Sequence, residues 1–126
     1  MINQQKNGQK QGLWTEAEGN GEWIGYYDGG KKEDSWSYYE GRSLLKLARY
    51  VGGARQGPAY KFGLNGNLLL ALEFDKDRIN GKVRFFSSDG EPIATYLYVY
   101  DKLDQVLLYV LRPESPPKNK TYLPDF

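Results

Sequence analysis

Three carboxylates, Glu16, Glu18 and Glu22, crowd the first turn of the chain. Paired carboxylates are the machinery of glycoside hydrolysis, one acting as acid and the other as base or nucleophile. Here two sit on one short strand and the third lies across the turn. That is the arrangement of a solvated hairpin, so no catalytic residue is assigned. The tyrosines offer a second chemistry. Tyr26-Tyr27, Tyr38-Tyr39 and Tyr96-Leu97-Tyr98 could act as acids or stacking platforms, but Tyr is equally a standard residue of half-buried strands and protein interfaces. A third group is basic. Lys31, Lys32, Arg49 and Arg55 would hold anionic lipid if they shared one face, while Glu33, Asp34, Glu73 and Asp75 nearby favour ordinary charge mixing.

Composition narrows the field further. The 126 residues contain neither Cys nor His, which removes disulfides, thiolate and imidazole metal ligands and the usual proton shuttle near neutral pH. With 17 basic and 16 acidic residues the net charge is +1, so no overall field recruits nucleic acid. No GxGxxG opens a helix and no GxxxxGK[ST] occurs, so neither a nucleotide cradle nor another cofactor is expected. No run reaches the ~20 apolar residues of a membrane span, and the start MINQQKNGQK lacks an apolar signal core. The expectation is a cytoplasmic protein that is not an enzyme.

The elements that would position these groups come from a repeat. GQKQGLW, GKKEDSW, GARQGPA and DRINGKV align on Gly12, Asp34, Gly57 and Gly81, at steps of 22, 23 and 24 residues. Two residues beyond each stand Trp14, Trp36, Ala59 and Val83. Tyr26, Tyr50, Phe74 and Tyr98 follow at a constant 24-residue spacing. Between them fall the turn dipeptides Asn20-Gly21, Glu40-Gly41, Asn65-Gly66 and Asp89-Gly90, a strong hairpin signal between β-rich runs. The one helical competitor, Leu44 to Val51, is too short for a stable helix and echoes the strand-like LLLALEFD. The fold expected is therefore all-β, a meander of consecutive hairpins, with a closed up-and-down barrel of the same strands as the alternative.

A period of two places Trp14, Trp36, Ala59 and Val83 on one face, with Glu16, Tyr38, Lys61 and Phe85. Thr15, Ser37, Tyr60 and Arg84, then Ala17, Tyr39, Phe62 and Phe86, take the other. Leu103 to Leu111 reads as a capping strand. The chain then divides into a frayed segment 1–6, one β domain 7–112, and a proline-rich tail 113–126 that lies on the sheet, or on a neighbouring molecule, if Tyr122, Leu123 and Phe126 dock, and is otherwise disordered. Both sheet edges are open in such a meander, and the one near Leu13-Trp14 has little protection beyond Lys10 and Glu16. A homodimer through edge pairing or tail exchange is expected.

From Gly8 to Tyr100 the pattern resembles the MORN repeat in its bacterial variant form. GQKQGLW and GKKEDSWSYYEG match best, while Ala59 and Val83 replace Trp in the later units. The resemblance implies an elongated, curved sheet of antiparallel hairpins. Similar bacterial proteins are often taken for antitoxins or immunity proteins, which implies a protein partner such as a toxin. Tyr39, Tyr60, Phe62, Arg84 and Phe86 are the residues expected to grip it, because aromatics and Arg dominate interface energetics. MORN arrays elsewhere are linked to scaffolding and lipid contact, which would use Lys31, Lys32, Arg49 and Arg55.

Overall fold

The structure is a computed structural model that describes residues 2–118 and 123–126. Twelve strands form it: β1 (Gln4–Lys6), β2 (Gln9–Glu18), β3 (Gly21–Asp28), β4 (Lys31–Glu40), β5 (Ser43–Val51), β6 (Ala54–Arg55), β7 (Gly57–Phe62), β8 (Leu68–Asp75), β9 (Arg78–Ile79), β10 (Gly81–Phe86), β11 (Pro92–Val99) and β12 (Lys102–Tyr109). Long strands pair antiparallel with their sequence neighbours, while β6 and β9 pair only with β5 and β8. β1 and β12 stand at opposite ends and do not pair, so the sheet is open and the closed barrel is not formed. Among the described residues no helix is long and apolar enough to cross a membrane.

One short sequence unit sets this regularity. Gly12, Asp34, Gly57 and Gly81 all take a left-handed backbone, with φ from 61° to 122°. Positive φ is cheap for Gly and tolerable for Asp, which explains the residue types in that slot. The residue just before each one, Gln11, Glu33, Gln56 or Asn80, reaches a main-chain N–H in the next tight turn. Those bonds run from Gly29, Gly52, Lys76 and Tyr100 at 2.8, 2.7, 2.9 and 3.2 Å. The following turn residue adds a main-chain bond: Gly30 to Lys10, Gly53 to Lys32, Asp77 to Arg55 and Asp101 to Ile79. These turns have positive φ at both central positions, the mirror-image form whose twist matches a hairpin. Lys76, Asp77, Tyr100 and Asp101 hold it without glycine, at a cost of about 1 kcal/mol each that the added bonds offset.

Packing is concentrated on one face. Across nine strands Glu16, Trp23, Tyr38, Lys46, Lys61, Leu70, Phe85, Ala94 and Tyr109 stand opposite one another in a single row. Trp36, Ala59, Leu72, Val83, Tyr96 and Tyr98 are buried on the same face. Gly25 faces the Trp36 indole so closely that a Cβ there would lie 2.2 Å from it. The cover over the later half of this face is the tail. Phe126 meets Phe74 edge to face at 5.8 Å and packs on the main cluster, and Pro116 and Pro124 are buried.

Several expectations need correction. Gln4–Lys6, expected to be frayed, pair with Gln9–Gln11, and Trp14 Nε1 donates to the Gln4 carbonyl. That moves this edge from Leu13-Trp14 to the short β1, and β1 and β12 are the two edge strands of the sheet. The expected cap, Leu103 to Leu111, is mostly exposed, with Leu107 at 48% and Leu111 at 84%, because the tail closes the core instead. All four turns sit one residue earlier or later than expected, centred at Gly19-Asn20, Gly41-Arg42, Leu64-Asn65 and Ser88-Asp89. Of the tail residues expected to dock, Phe126 does, Leu123 is exposed, and Tyr122 lies outside the described residues.

Asp34→Gly should leave stability within about 1 kcal/mol of wild type, whereas Asp34→Val should cost about 1–2 kcal/mol or more, because a β-branched side chain resists positive φ. Gly25→Ala should cost about 1–3 kcal/mol through overpacking against Trp36. Urea denaturation checks all three.

Candidate functional site

Of the two faces, the one away from the tail carries Tyr39, Tyr60, Phe62 and Arg84 of the expected contact residues. Its central row runs Thr15, Ile24, Ser37, Leu47, Tyr60, Ala71, Arg84, Thr95 and Leu108. Tyr60 and Arg84 flank Ala71, one strand away on either side, so their backbones are roughly 9.6 Å apart. The small Ala71 side chain leaves a hollow of about 210 Å³ between them, bordered also by Pro58, Glu73 and Lys82. Arg84 is exposed and forms no hydrogen bond or ion pair with another described residue, and neither does Lys82. Two cations without a hydrogen bond or ion pair therefore stand beside a phenol, with the Glu73 carboxylate bordering the same hollow.

The other expected contact residues surround this centre unevenly. Phe62 lies beside Tyr60, with ring centroids 6.4 Å apart. Tyr39 borders a separate hollow with Glu22, Ile24 and Arg42. Phe86 sits at the rim, beside Lys61, Leu69 and Asp125, where the tail passes. Tyr39, Phe62 and Phe86 are each half-buried. The five residues therefore form a centre with three satellites.

The four basic residues expected to bind lipid do not gather. Lys32 points to the tail-side face, 3.3 Å from Glu16 and over the Trp36 ring at 4.5 Å. Arg55 pairs with Asp77 at 3.0 Å and lies over Phe74 at 4.2 Å. Arg49, opposite Ser35, is on the other face, and Lys31 is exposed at the rim. Sequence reasoning missed why. Lys10, Lys32 and Arg55 each stand two residues before a left-handed position, and each caps an aromatic ring of the next strand: Tyr27, Tyr50 or Phe74. The signal was in KQG, KED and RQG, a cation and an acceptor before each entry residue; the fourth unit, Ile79-Asn80-Gly81, replaces the cation with a buried Ile79.

The acidic cluster separates as well. Glu22 is exposed on the open face, while Glu18 accepts from Trp23 Nε1 at 3.0 Å. Glu16 accepts from Tyr27 Oη at 2.6 Å and from Lys10 Nζ at 3.1 Å. Burial pushes the Glu16 carboxyl up, but the Tyr27 hydroxyl, Lys10 and Lys32 outweigh it, and the net shift is downward. Burial and the adjacent Glu16 push the Tyr27 phenol up. This is a hydrogen-bonded structural carboxylate without the raised pKa of a general acid. Among the described residues no group of three or more acidic side chains is placed to hold a metal ion.

Family models, curated proteins and solved structures were compared with this chain, and none matches.

The Glu16 network sets a pH dependence. Its folded pKa is depressed, so its contribution to stability is complete above the unfolded value of about 4.3 and is lost as pH falls through the lower folded value. Glu16→Gln should remove that part of the acid limb, which thermal melts between pH 3 and 7 read directly.

Proposed function

We propose that the chain is a non-enzymatic protein-binding module of antitoxin or immunity type, which blocks a partner protein by covering it with the open face. The MORN-like repeat grammar supports this reading. The observation that carries it is Arg84, without a hydrogen bond or ion pair to another described residue, across from Ala71 and near Tyr60 on the face away from the described part of the tail. An exposed Arg next to half-buried aromatics is the composition of an interface centre. Charge complementarity defines the partner: an apolar contact surface with one acidic side chain that enters the hollow between Tyr60, Lys82 and Arg84. Tyr39, Phe62 and Phe86 extend the contact around it. The lipid alternative needs Lys31, Lys32, Arg49 and Arg55 on one surface, and their division between faces favours the protein partner.

Arg84→Glu and Tyr60→Ala should each weaken partner capture at least about 30-fold, the effect of losing roughly 2 kcal/mol at an interface centre. Lys31→Glu should leave capture unchanged, and neither charge reversal should shift the melting temperature, whereas Tyr60→Ala loses the Phe62 ring contact and should lower it by a few degrees. The measurement is affinity capture from the native host followed by titration of the protein recovered. Recovery of no stoichiometric protein, or equal capture by all three variants, would sink the proposal.

A further inference from the structure

We infer that the tail-side face is itself a binding site for an extended, proline-containing peptide with an aromatic end, and that the chain's own tail is its resident occupant. Among the described residues four side chains on this face donate hydrogen bonds to the tail, three to peptide carbonyls and one, Lys46, to the terminal oxygen of Phe126. Tyr109 Oη reaches Pro116 O at 2.7 Å and Tyr96 Oη reaches Pro117 O at 3.1 Å. Lys61 Nζ reaches Asp125 O at 3.2 Å and Lys46 Nζ reaches Phe126 O at 3.0 Å. Main-chain carbonyls are common to every peptide, so these bonds are transferable to another chain. Proline adds a stiff, extended backbone that loses little entropy on docking, the logic by which aromatic-lined surfaces capture such segments.

Two further observations point to a site that expects a ligand. Lys46 and Lys61 stand directly opposite each other on β5 and β7. Like charges in that relation are destabilising unless an acceptor lies between or above them, and here the acceptors come from the tail. Beyond Phe126 the same face continues into an unfilled hollow of about 310 Å³, lined by Glu16, Glu18, Trp23, Lys32, Tyr50 and Arg55. The described residues of the tail therefore fill only part of the surface, and a peptide running past the position of Phe126 gains contacts that they do not make. The occupant that fits is a partner's extended segment: prolines over Tyr96 and Tyr109, and an aromatic side chain against Phe74.

The test uses the full chain and a fluorescein-labelled peptide of sequence RPESPPKNKTYLPDF. Tethering gives the resident tail an effective concentration on the order of mM, so wild type should bind the probe weakly. Phe126→Ala loosens the resident end, and its apparent affinity for the probe should rise at least tenfold. Adding Lys46→Ala and Lys61→Ala should abolish that gain, and a probe with Ala in place of its final Phe should not bind. Equal affinity of wild type and Phe126→Ala, or equal binding of a scrambled probe, overturns the proposal. If Phe126→Ala does not fold, wild type titrated with unlabelled peptide to 1 mM decides the question by NMR. Saturable shifts at Tyr109 and Phe126 support the site, and their absence rejects it.

Discussion

The structure depends on the bond between each hairpin and the next. A left-handed residue breaks the strand's two-residue alternation, and the acceptor side chain before it turns to meet the N–H of the neighbouring tight turn. Gln11, Glu33, Gln56 and Asn80 make the same contact four times. Register in a sheet with apolar groups on both faces is weakly specified by hydrophobicity alone, since a one-residue slip exchanges one half-apolar face for the other. The recurring turn bonds supply the missing specification. They also hold non-glycine residues at positive φ in the last two turns, where the backbone alone would resist it.

With register fixed, an open sheet still has to bury one face. The first two units do so with their own side chains. Trp14, Tyr27, Trp36 and Tyr50 meet edge to face in sequence, and Lys10 and Lys32 lie over these rings. Units three and four replace Trp with Ala59 and Val83, which leaves room above the sheet. The tail occupies that side, and Phe126, Pro116 and Pro124 supply the missing apolar bulk. The departures from the repeat therefore have a structural meaning: they mark where the chain folds back on itself. The described residues of the tail do not cover Arg84 or the hollow beside it on the opposite face.

Charge follows the same division. Cations at Lys10, Lys32 and Arg55 are spent on rings and carboxylates of the tail-side face. On the open face Lys82 and Arg84 form no hydrogen bond or ion pair with another described residue. A near-neutral chain can therefore present a local positive site without any net field to attract nucleic acid.

Much of the fold was legible in the sequence because each piece of it is local. Positive-φ slots, turn dipeptides and a 24-residue aromatic spacing are properties of neighbouring residues, so order, strand positions and the two faces could be read directly. The cation-acceptor pair before each entry residue was present in the text too, and went unread because its targets lie one unit away. What only the tertiary structure decided is which face the tail covers and which charges are paired. Those outcomes rest on contacts between residues as far apart as Lys46 and Phe126 or Lys61 and Asp125. No local pattern encodes such meetings, because they exist only after the strands have aligned and the tail has found the space left by two small side chains.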